Sequence, residues 1–183
     1  LKPKVDLPIA QVLKTYYTPQ GGKLSLVRVW QGELTEGIVL NGVRAAGMYR
    51  LMGQQTESTQ LAKTGEIVAL ARMDTIQTGD TLSTEPQQVK ALPKAEVLPP
   101  VFALAIAPQQ RKDEVKLTGA LSKILEEDPA LVWEQHGDTH EVILWGQGEI
   151  HIQVTLDRLR RKYNLAMTTH LPRVPYKETI RKT

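Results

Sequence analysis

Short stretches in which apolar and polar residues alternate fill the chain from residue 9 to about residue 82, with almost no helical periodicity. Residues 23–30 alternate most clearly, which predicts a strand whose side chains at every second position share one face. That face carries Leu24, Leu26, Arg28 and Trp30. The pair Gly21-Gly22 before this strand and Gly32 after it predict turns at its two ends.

Further apolar runs follow at similar spacing. They lie at residues 37–40, 48–52, 66–72 and 81–82, and they are separated by Asn41-Gly42, by the polar stretch 54–60 and by Thr78-Gly79-Asp80. Several short strands with turn signals between them are typical of a small antiparallel β-barrel. We therefore predict an all-β antiparallel barrel domain over residues 1–84.

Residues 85–100 differ from what precedes them, since they contain Pro86, Pro93, Pro99 and Pro100. Proline lacks a backbone donor and favours extended chain. This stretch is therefore the best candidate for a linker between two domains.

After the linker the hydrophobic period changes from two to that of a helix. An apolar strand at 101–107 precedes a helix at 113–127, and a hairpin at 131–135 and 140–145 precedes a second helix at 149–163 and a last strand at 165–170. The first helix places Leu117, Ala120, Leu121, Ile124 and Leu125 on one stripe, and the second places Ile152, Leu156, Leu159 and Tyr163 there. This order predicts an α+β, ferredoxin-like (βαββαβ) domain over residues 101–171.

Composition adds an ordinary globular balance, because 41% of the 183 residues are hydrophobic and 23% are charged. The chain has no cysteine and no apolar run near the roughly 20 residues of a membrane span. We therefore expect a soluble, cytoplasmic protein with no membrane partner. The formal net charge is +3, but its excess lies within residues 171–183, so charge alone does not predict a nucleic-acid partner.

No set of residues predicts catalysis within the chain. A P-loop requires Gly-x-x-x-x-Gly-Lys-Ser/Thr, whose amides cradle phosphates, and the sequence has none. The histidines at 136, 140, 151 and 170 lack the spacing and the supporting cysteines of a metal site. We expect no catalytic residue, no metal site and no cofactor in this chain.

Residues 145–152 (Trp-Gly-Gln-Gly-Glu-Ile-His-Ile) predict a corner between a strand and a helix. Gly146 and Gly148 are expected to permit a tight turn. Glu149 is expected in the first helical turn, where its charge complements the helix dipole. His151 lies off the apolar stripe and is expected to be an exposed or interface side chain.

This corner resembles the Gly-Met-Gly-Glu-Leu-His-Leu-Glu corner in the third domain of bacterial elongation factor G, a translational GTPase. Two further segments stand where that family has them, at residues 117–129 and 172–180, and residues 21–32 and 77–82 resemble its second domain. The resemblance implies a fragment covering domains II and III, with residues 172–183 starting the following domain. GTP and Mg²⁺ would then bind a G domain that precedes residue 1 in a longer parent.

The resemblance also implies partners for this portion of the parent. In the family the barrel docks on small-subunit ribosomal RNA, and the ferredoxin-like domain reaches a small-subunit protein and relays the nucleotide state between the G domain and the distal domains. The candidate ribosome or RNA contacts are Lys23, Arg28, Lys63, Arg111 and Lys112. Gly146, Gly148, Glu149 and His151 form the candidate interdomain corner.

Differences from the family keep other interpretations open. Trp145, Gln147, Ile150, Ile152 and Gln153 stand where the common corner has other residues, and Thr64-Gly65-Glu66 replaces Ala-Gly-Asp. These differences favour a divergent elongation factor G-like paralogue, with a ribosomal protection protein as the alternative. An RNA-binding or acylphosphatase-like ferredoxin-fold module is the alternative from another class, although its stacking aromatics or catalytic asparagine are not evident and it leaves the barrel unexplained.

Overall fold

The computed structural model describes residues 7–18, 22–53 and 55–174. The chain divides into two compact units, Leu1–Glu96 and Val97–Thr183. Gly21, part of the predicted turn before residue 23, and most of the predicted segment 172–180 lie outside the described residues.

The first unit consists of short antiparallel strands. Its strands are β1 (Ile9–Tyr17), β2 (Lys23–Gln31), β3 (Glu33–Thr35), β4 (Val39–Leu40), β5 (Val43–Arg44), β6 (Met48–Met52), β7 (Gln55–Ser58), β8 (Leu61–Lys63), β9 (Ile67–Ala71) and β10 (Thr81–Ser83). Hydrogen bonding among the described residues gives one sheet in the order β10-β1-β2-β9-β6-β7 and two separate pairs, β3-β8 and β4-β5.

The predicted strands 48–52, 66–72 and 81–82 are confirmed as β6, β9 and β10 within one residue at either end. The Asn41-Gly42 turn is also confirmed, with φ of 50° and 78°, the left-handed conformation that a two-residue hairpin loop requires. The prediction that the polar stretch 54–60 separates strands was wrong. Residues 55–58 form β7, an edge strand that is exposed throughout, so no hydrophobic alternation marks it.

The core of the first unit comes from the inward side of this alternation. In β2 the buried residues are Lys23, Ser25, Val27 and Val29, while Arg28 and Trp30 are exposed. The shared face that the sequence predicted is therefore the outer face of the strand. Val27 and Val29 join Leu34, Leu70 and Leu82 in the apolar cluster that holds the strands together.

The second unit has the element order strand, helix, strand, strand, helix, strand. These elements are β11 (Phe102–Pro108), α1 (Glu114–Glu127), β12 (Val132–Gln135), β13 (Val142–Gly146), α2 (Glu149–Tyr163) and β14 (Met167–His170). The strands form an antiparallel sheet in the order β12-β13-β11-β14. The predicted elements are confirmed within two residues at their ends, and the predicted bounds of α2 match its observed bounds.

Both helices contribute their predicted stripes to one core with the sheet. Leu121 and Ile124 of α1 and Ile152 and Leu159 of α2 are fully buried. Thr155 was not predicted inside, yet it is buried. Its hydroxyl is satisfied there, since it donates to the His151 carbonyl at 2.8 Å within its own helix.

Parts of the proline-rich stretch are hydrogen-bonded to the unit on their own side. The Leu92 amide donates to Thr81 Oγ1 at 2.8 Å, and Lys94 Nζ lies 2.7 Å from Asp80 Oδ1 in the first unit. In the second unit the Gln147 side-chain amide donates to the Leu98 carbonyl at 2.8 Å. Residues 95–97 lie between these attachment points.

Candidate functional site

The corner between β13 and α2 is organised by the imidazole of His151. Its Nδ1 accepts the backbone N–H of Gln147 at 3.1 Å, so its Nε2 carries the proton and donates to Asp128 Oδ2 at 3.0 Å. Asp128 caps the C-terminal end of α1, and its Oδ1 accepts the amide of Ala130 at 3.3 Å. One histidine therefore connects the end of α1 to the start of α2.

His151 was predicted to be an exposed or interface side chain; the exposed alternative was wrong, and the interface alternative stays a prediction. Its side chain is 22% exposed, and both ring nitrogens are used inside the unit. Glu149 was correctly placed in the first turn of α2. Its carboxylate accepts the side-chain amide of Gln153, one turn later, at 3.0 Å.

The two glycines of the corner have different roles, and neither supplies a left-handed turn. Gly148 has φ of 165°, an extended conformation open to any residue, and a Cβ there would meet nothing within 4 Å. A Cβ on Gly146 would lie 3.2 Å from both His151 Nδ1 and Ile152 Cγ1. A larger residue at 146 would therefore crowd the imidazole, so Gly146 allows close packing, which corrects the prediction of a conformational role for both glycines.

The two positions that differ most from the family corner also make contacts within the second unit. Trp145 Nε1 donates to Glu134 Oε1 of the neighbouring strand at 3.2 Å. Gln147 Nε2 donates to the carbonyls of Leu98 and Pro99, at 2.8 and 3.1 Å. The Gln147 side chain thus attaches the segment before β11 to the corner.

Lys23 was predicted to lie in a turn or loop as an RNA contact, and its placement was wrong. It is the first residue of β2, only 3% of it is exposed, and its Nζ donates to the Asp74 carbonyl at 2.8 Å. The ammonium stabilises the fold from inside the first unit, so we leave Lys23 out of the candidate surface.

Arg28, by contrast, lies on the outer face of β2. Its guanidinium carbon is 4.6 Å from the centroid of the Trp30 ring, two residues further along the same face. The strand alternation places both side chains outside because Val27 and Val29 fill the core positions between them. No ion pair among the described residues includes Arg28.

Lys63 is exposed at the end of β8, beside a pair formed by Arg50 and Glu66. The Glu66 carboxylate accepts the Lys63 backbone N–H at 2.7 Å and Arg50 Nη2 at 2.9 Å. The Lys63 backbone hydrogen bond and the positive charge of Arg50 hold the pKa of Glu66 below its usual value. These three residues line an open cleft of about 570 Å³ together with residues 58–61.

Arg111 and Lys112 are exposed immediately before α1. They were predicted in a loop, and the connection is more regular than that, since Arg111–Asp113 form one turn of 3-10 helix. Asp113 is largely buried and pairs with Lys116 at 3.2 Å. The turn therefore directs its two cations outward while its carboxylate remains with the helix.

The basic end of α2 is mostly engaged within the second unit. Arg160 and Arg161 pair with Asp157, and Lys162 pairs with the buried Glu127 of α1. Burial, together with the Glu127 charge, raises the pKa of Tyr163 to about 12. These contacts, in addition to the favourable helix dipole, account for Arg160, Arg161 and Lys162 without an external ligand.

Sequence reasoning missed Asp128, the partner of His151, and the pair Lys14 and Tyr16 on β1. Lys14 Nζ lies 5.4 Å from the Tyr16 ring centroid, in the same arrangement as Arg28 over Trp30. A signal was available, because a cation followed two residues later by an aromatic occurs on both neighbouring strands.

No helix in the part of the chain that the structure describes is long and apolar enough to cross a membrane. Over the same residues, no group of three or more His, Asp or Glu side chains could hold a metal ion.

Comparison with known proteins agrees with this arrangement. The family model of elongation factor G domain 2 matches residues 9–85, and that of elongation factor G domain III matches residues 97–171. A crystal structure from Thermus thermophilus superposes with a TM-score of 0.83 at 32% identity, covering 96% of this chain and 27% of that chain.

Among curated relatives, an elongation factor G-like protein of Synechocystis sp. is 63% identical over 174 residues, covering 95% of this chain and 26% of the relative. Elongation factor G of Fervidobacterium nodosum is 36% identical over 189 residues, covering 100% of this chain and 27% of the relative. The chain thus spans about a quarter of the length of these relatives. It belongs to the elongation factor G family, of which it carries the second and third domains.

Proposed function

We propose that the chain is the ribosome-docking and interdomain-coupling portion of an elongation factor G-like translational GTPase that acts in translocation. The observation that carries this proposal is the order of two matched elongation factor G domains along one chain, each with outward cations. Within this proposal the first unit is a translation-factor β-barrel. The second is a ferredoxin-like domain, supported by its strand order β12-β13-β11-β14.

The docking part of the proposal rests on Arg28, Arg111 and Lys112. All three are exposed, and no ion pair among the described residues includes them. Cations that the fold does not neutralise are available for phosphate, and such contacts release counterions. We assign Arg28 to small-subunit ribosomal RNA and the Arg111-Lys112 pair to the ribosomal surface that the second unit faces, either RNA or a small-subunit protein.

The coupling part rests on a hydrogen-bonded connection within the second unit. His151 joins the end of α1 to the start of α2, and Gln147 joins that corner to the segment entering β11. A displacement applied at the entering segment would therefore reach both helices. In the parent, this connection would relay the nucleotide state from the G domain to the ribosome-facing surface.

GTP and Mg²⁺ are assigned to the rest of the parent. This chain has no phosphate-cradling Gly-Lys-Ser/Thr loop, so its residues do not fit the nucleotide and we derive no step of hydrolysis from them. Titration of the 183-residue chain with GTP and GDP in a calorimeter is expected to give no heat of binding. A dissociation constant in the low micromolar range would contradict this assignment.

The proposal favours a paralogue over the housekeeping factor. Identity is 63% to the elongation factor G-like protein and 36% to elongation factor G, over similar lengths. We expect the parent to show ribosome-stimulated GTP turnover without rescuing cells depleted of elongation factor G. Full rescue would show that the parent is the housekeeping factor. GTP turnover that ribosomes do not stimulate would contradict a function on the ribosome.

The docking assignment is tested by the binding of the 183-residue chain to purified small ribosomal subunits at several salt concentrations. Arg28→Ala and the double variant Arg111→Ala/Lys112→Ala should each weaken binding and reduce its salt dependence, because each removes phosphate contacts. Arg44→Ala removes an exposed charge on β5 and is the matched control. Equal loss for the control would show non-specific attraction, and equal loss of thermal stability would assign the cations to the fold.

A further inference from the structure

The outer face of β1 and β2 combines aromatic rings with cations in a repeated arrangement. The strand register places Lys14 opposite Leu26 and Tyr16 opposite Leu24, so these side chains share the face of Arg28 and Trp30. Each aromatic ring has a cation near it, at 5.4 Å on β1 and 4.6 Å on β2. Tyr16 is 39% exposed and Trp30 is 47% exposed.

A β-bulge brings the β1 pair to this face. The register shifts between Val12 and Lys14, which leaves Leu13 as the extra residue. If Leu13 took part in regular alternation instead, Lys14 and Tyr16 would point toward the core, since both lie an even number of positions from the buried Val12. The bulge therefore changes which side chains the outer face presents.

The interior of the first unit does not account for the bulge. It turns Thr15 inward, where it is fully buried opposite Ser25. Neither hydroxyl has a hydrogen-bond partner among the described residues, and burying an unsatisfied hydroxyl is unfavourable. The bulge thus leaves polar groups unsatisfied inside while it places a cation and an aromatic ring outside.

The spacing of the two rings fits a segment of several nucleotides. Tyr16 lies opposite Leu24, six residues before Trp30 on β2, which separates the rings by roughly 20 Å at the usual rise per residue. Leu24 and Leu26 provide an apolar floor between them. Aromatic rings stack on any unpaired base and cations contact the phosphates, whereas a duplex keeps its base faces stacked inside.

We propose that this outer face binds unpaired nucleotides of RNA, with Trp30 and Tyr16 stacking on bases and Arg28 and Lys14 contacting the backbone. The Arg28 guanidinium lies over the Trp30 ring, and a guanidinium plane is itself a surface on which a base can stack. The assignment of the source to ribosomal RNA rests on the function proposed above. The preference for single-stranded over duplex RNA follows from the rings and cations of this face and does not rest on the proposed function.

The test uses the 183-residue chain and labelled RNA of about 12 nucleotides, single-stranded or as a blunt duplex, with binding followed by fluorescence anisotropy. Trp30→Ala and Tyr16→Ala should each weaken single-strand binding by about fivefold or more, while Trp30→Phe and Tyr16→Phe retain it. Trp145→Phe, in the second unit, is the aromatic control. Circular dichroism melts establish that each variant is folded.

Stacking also has a spectroscopic signature that loss of structure would not reproduce. Single-stranded RNA should quench the tryptophan fluorescence of the parent chain and of Trp145→Phe, and the quench should disappear in Trp30→Phe although binding remains. Equal affinity for the duplex, or alanine variants that bind single strands as the parent chain does, would overturn the proposal.

Binding to small ribosomal subunits separates this inference from the proposed function. If Trp30→Ala and Tyr16→Ala bind small subunits as tightly as the parent chain does, the stacking surface is overturned and the docking function is not. Single-strand binding with the quench but without subunit binding supports the surface and contradicts the docking function. Subunit binding that both substitutions weaken, in a chain that binds no free RNA, assigns the face to a ribosomal protein and overturns the proposal.

Discussion

The corner at residues 145–152 and the outer face of β1 and β2 differ in what their polar side chains do. At the corner, His151, Gln147 and Trp145 each contact a group within their own unit. On the outer face, the cations Lys14 and Arg28 lie over exposed rings. The corner, which has the more recognisable sequence, is thus the region whose polar side chains already have partners within the unit.

This difference separates two reasons for a distinctive sequence. A motif such as Gly-Gln-Gly-Glu-Ile-His is distinctive in part because a Cβ at position 146 would crowd the packed imidazole of His151. An exposed strand face has no such internal requirement, so cations and aromatics there are available to a partner. The corner identifies the family, and the outer face is the better place to look for binding.

The largest expected effect in the comparison comes from Gly146→Ala. The new Cβ would lie 3.2 Å from His151 Nδ1 and Ile152 Cγ1, and such overpacking typically costs about 1–3 kcal/mol of unfolding free energy. Gly148→Ala is the matched control, because its Cβ meets nothing within 4 Å and its backbone is extended. Urea denaturation measures both. A loss at Gly148 as large as that at Gly146 would contradict the packing role of Gly146.

The hydrogen bond between His151 and Asp128 is expected to contribute about 1 kcal/mol, since both side chains retain some solvent exposure. His151→Ala, Asp128→Ala and the double variant form a cycle whose coupling energy isolates this bond. The unfolding free energies should be less than additive. Strict additivity would show that the two groups stabilise the unit independently and that α1 and α2 are not connected here.

Sequence reasoning predicted most elements of the second unit because its helices carry clear apolar stripes with favourable ends, as at Ile152 and Leu159. It missed β7 because an edge strand needs no buried face. It also misplaced Lys23, because nothing local shows that a lysine at the start of a strand reaches the Asp74 carbonyl, 51 residues away in sequence. The contact between His151 and Asp128 was missed for the same reason, because it joins segments that are distant in sequence.

The Gln147 attachment gives a smaller effect that is best seen by limited proteolysis. Its amide holds the Leu98 and Pro99 carbonyls, while Leu92 and Lys94 are held by the first unit, which leaves residues 95–97 for cleavage. Gln147→Ala should extend cleavage to residues 98–101 and lower stability by about 1 kcal/mol or less. Gln153→Ala, which loses a contact on the exposed surface of α2, is the control. An unchanged cleavage pattern would mean that other contacts hold this segment.

The smallest expected effect compares one carboxylate from each unit. The pKa of Glu66 is lowered chiefly by the Lys63 backbone N–H, and that of Glu141 chiefly by the hydrogen bond from His170, followed by the Arg173 N–H. A lowered pKa in the folded state contributes stability above the unfolded value near 4.5, and this stability is lost as pH falls through the lower folded value.

Glu66→Gln and Glu141→Gln should therefore each reduce the loss of thermal stability between pH 5 and pH 3, by roughly one proton at most in the linkage slope. Substituting the partner of each carboxylate should have different effects on the two. His170→Ala removes the side chain that bonds Glu141, so it should weaken the acid sensitivity that Glu141 provides. Lys63 contacts Glu66 through its backbone N–H, so Lys63→Ala should leave most of the Glu66 effect in place. Thermal melts across this pH range decide the matter, and an equal response to the two substitutions would show that side-chain charge, rather than the backbone donor, sets the Glu66 contribution.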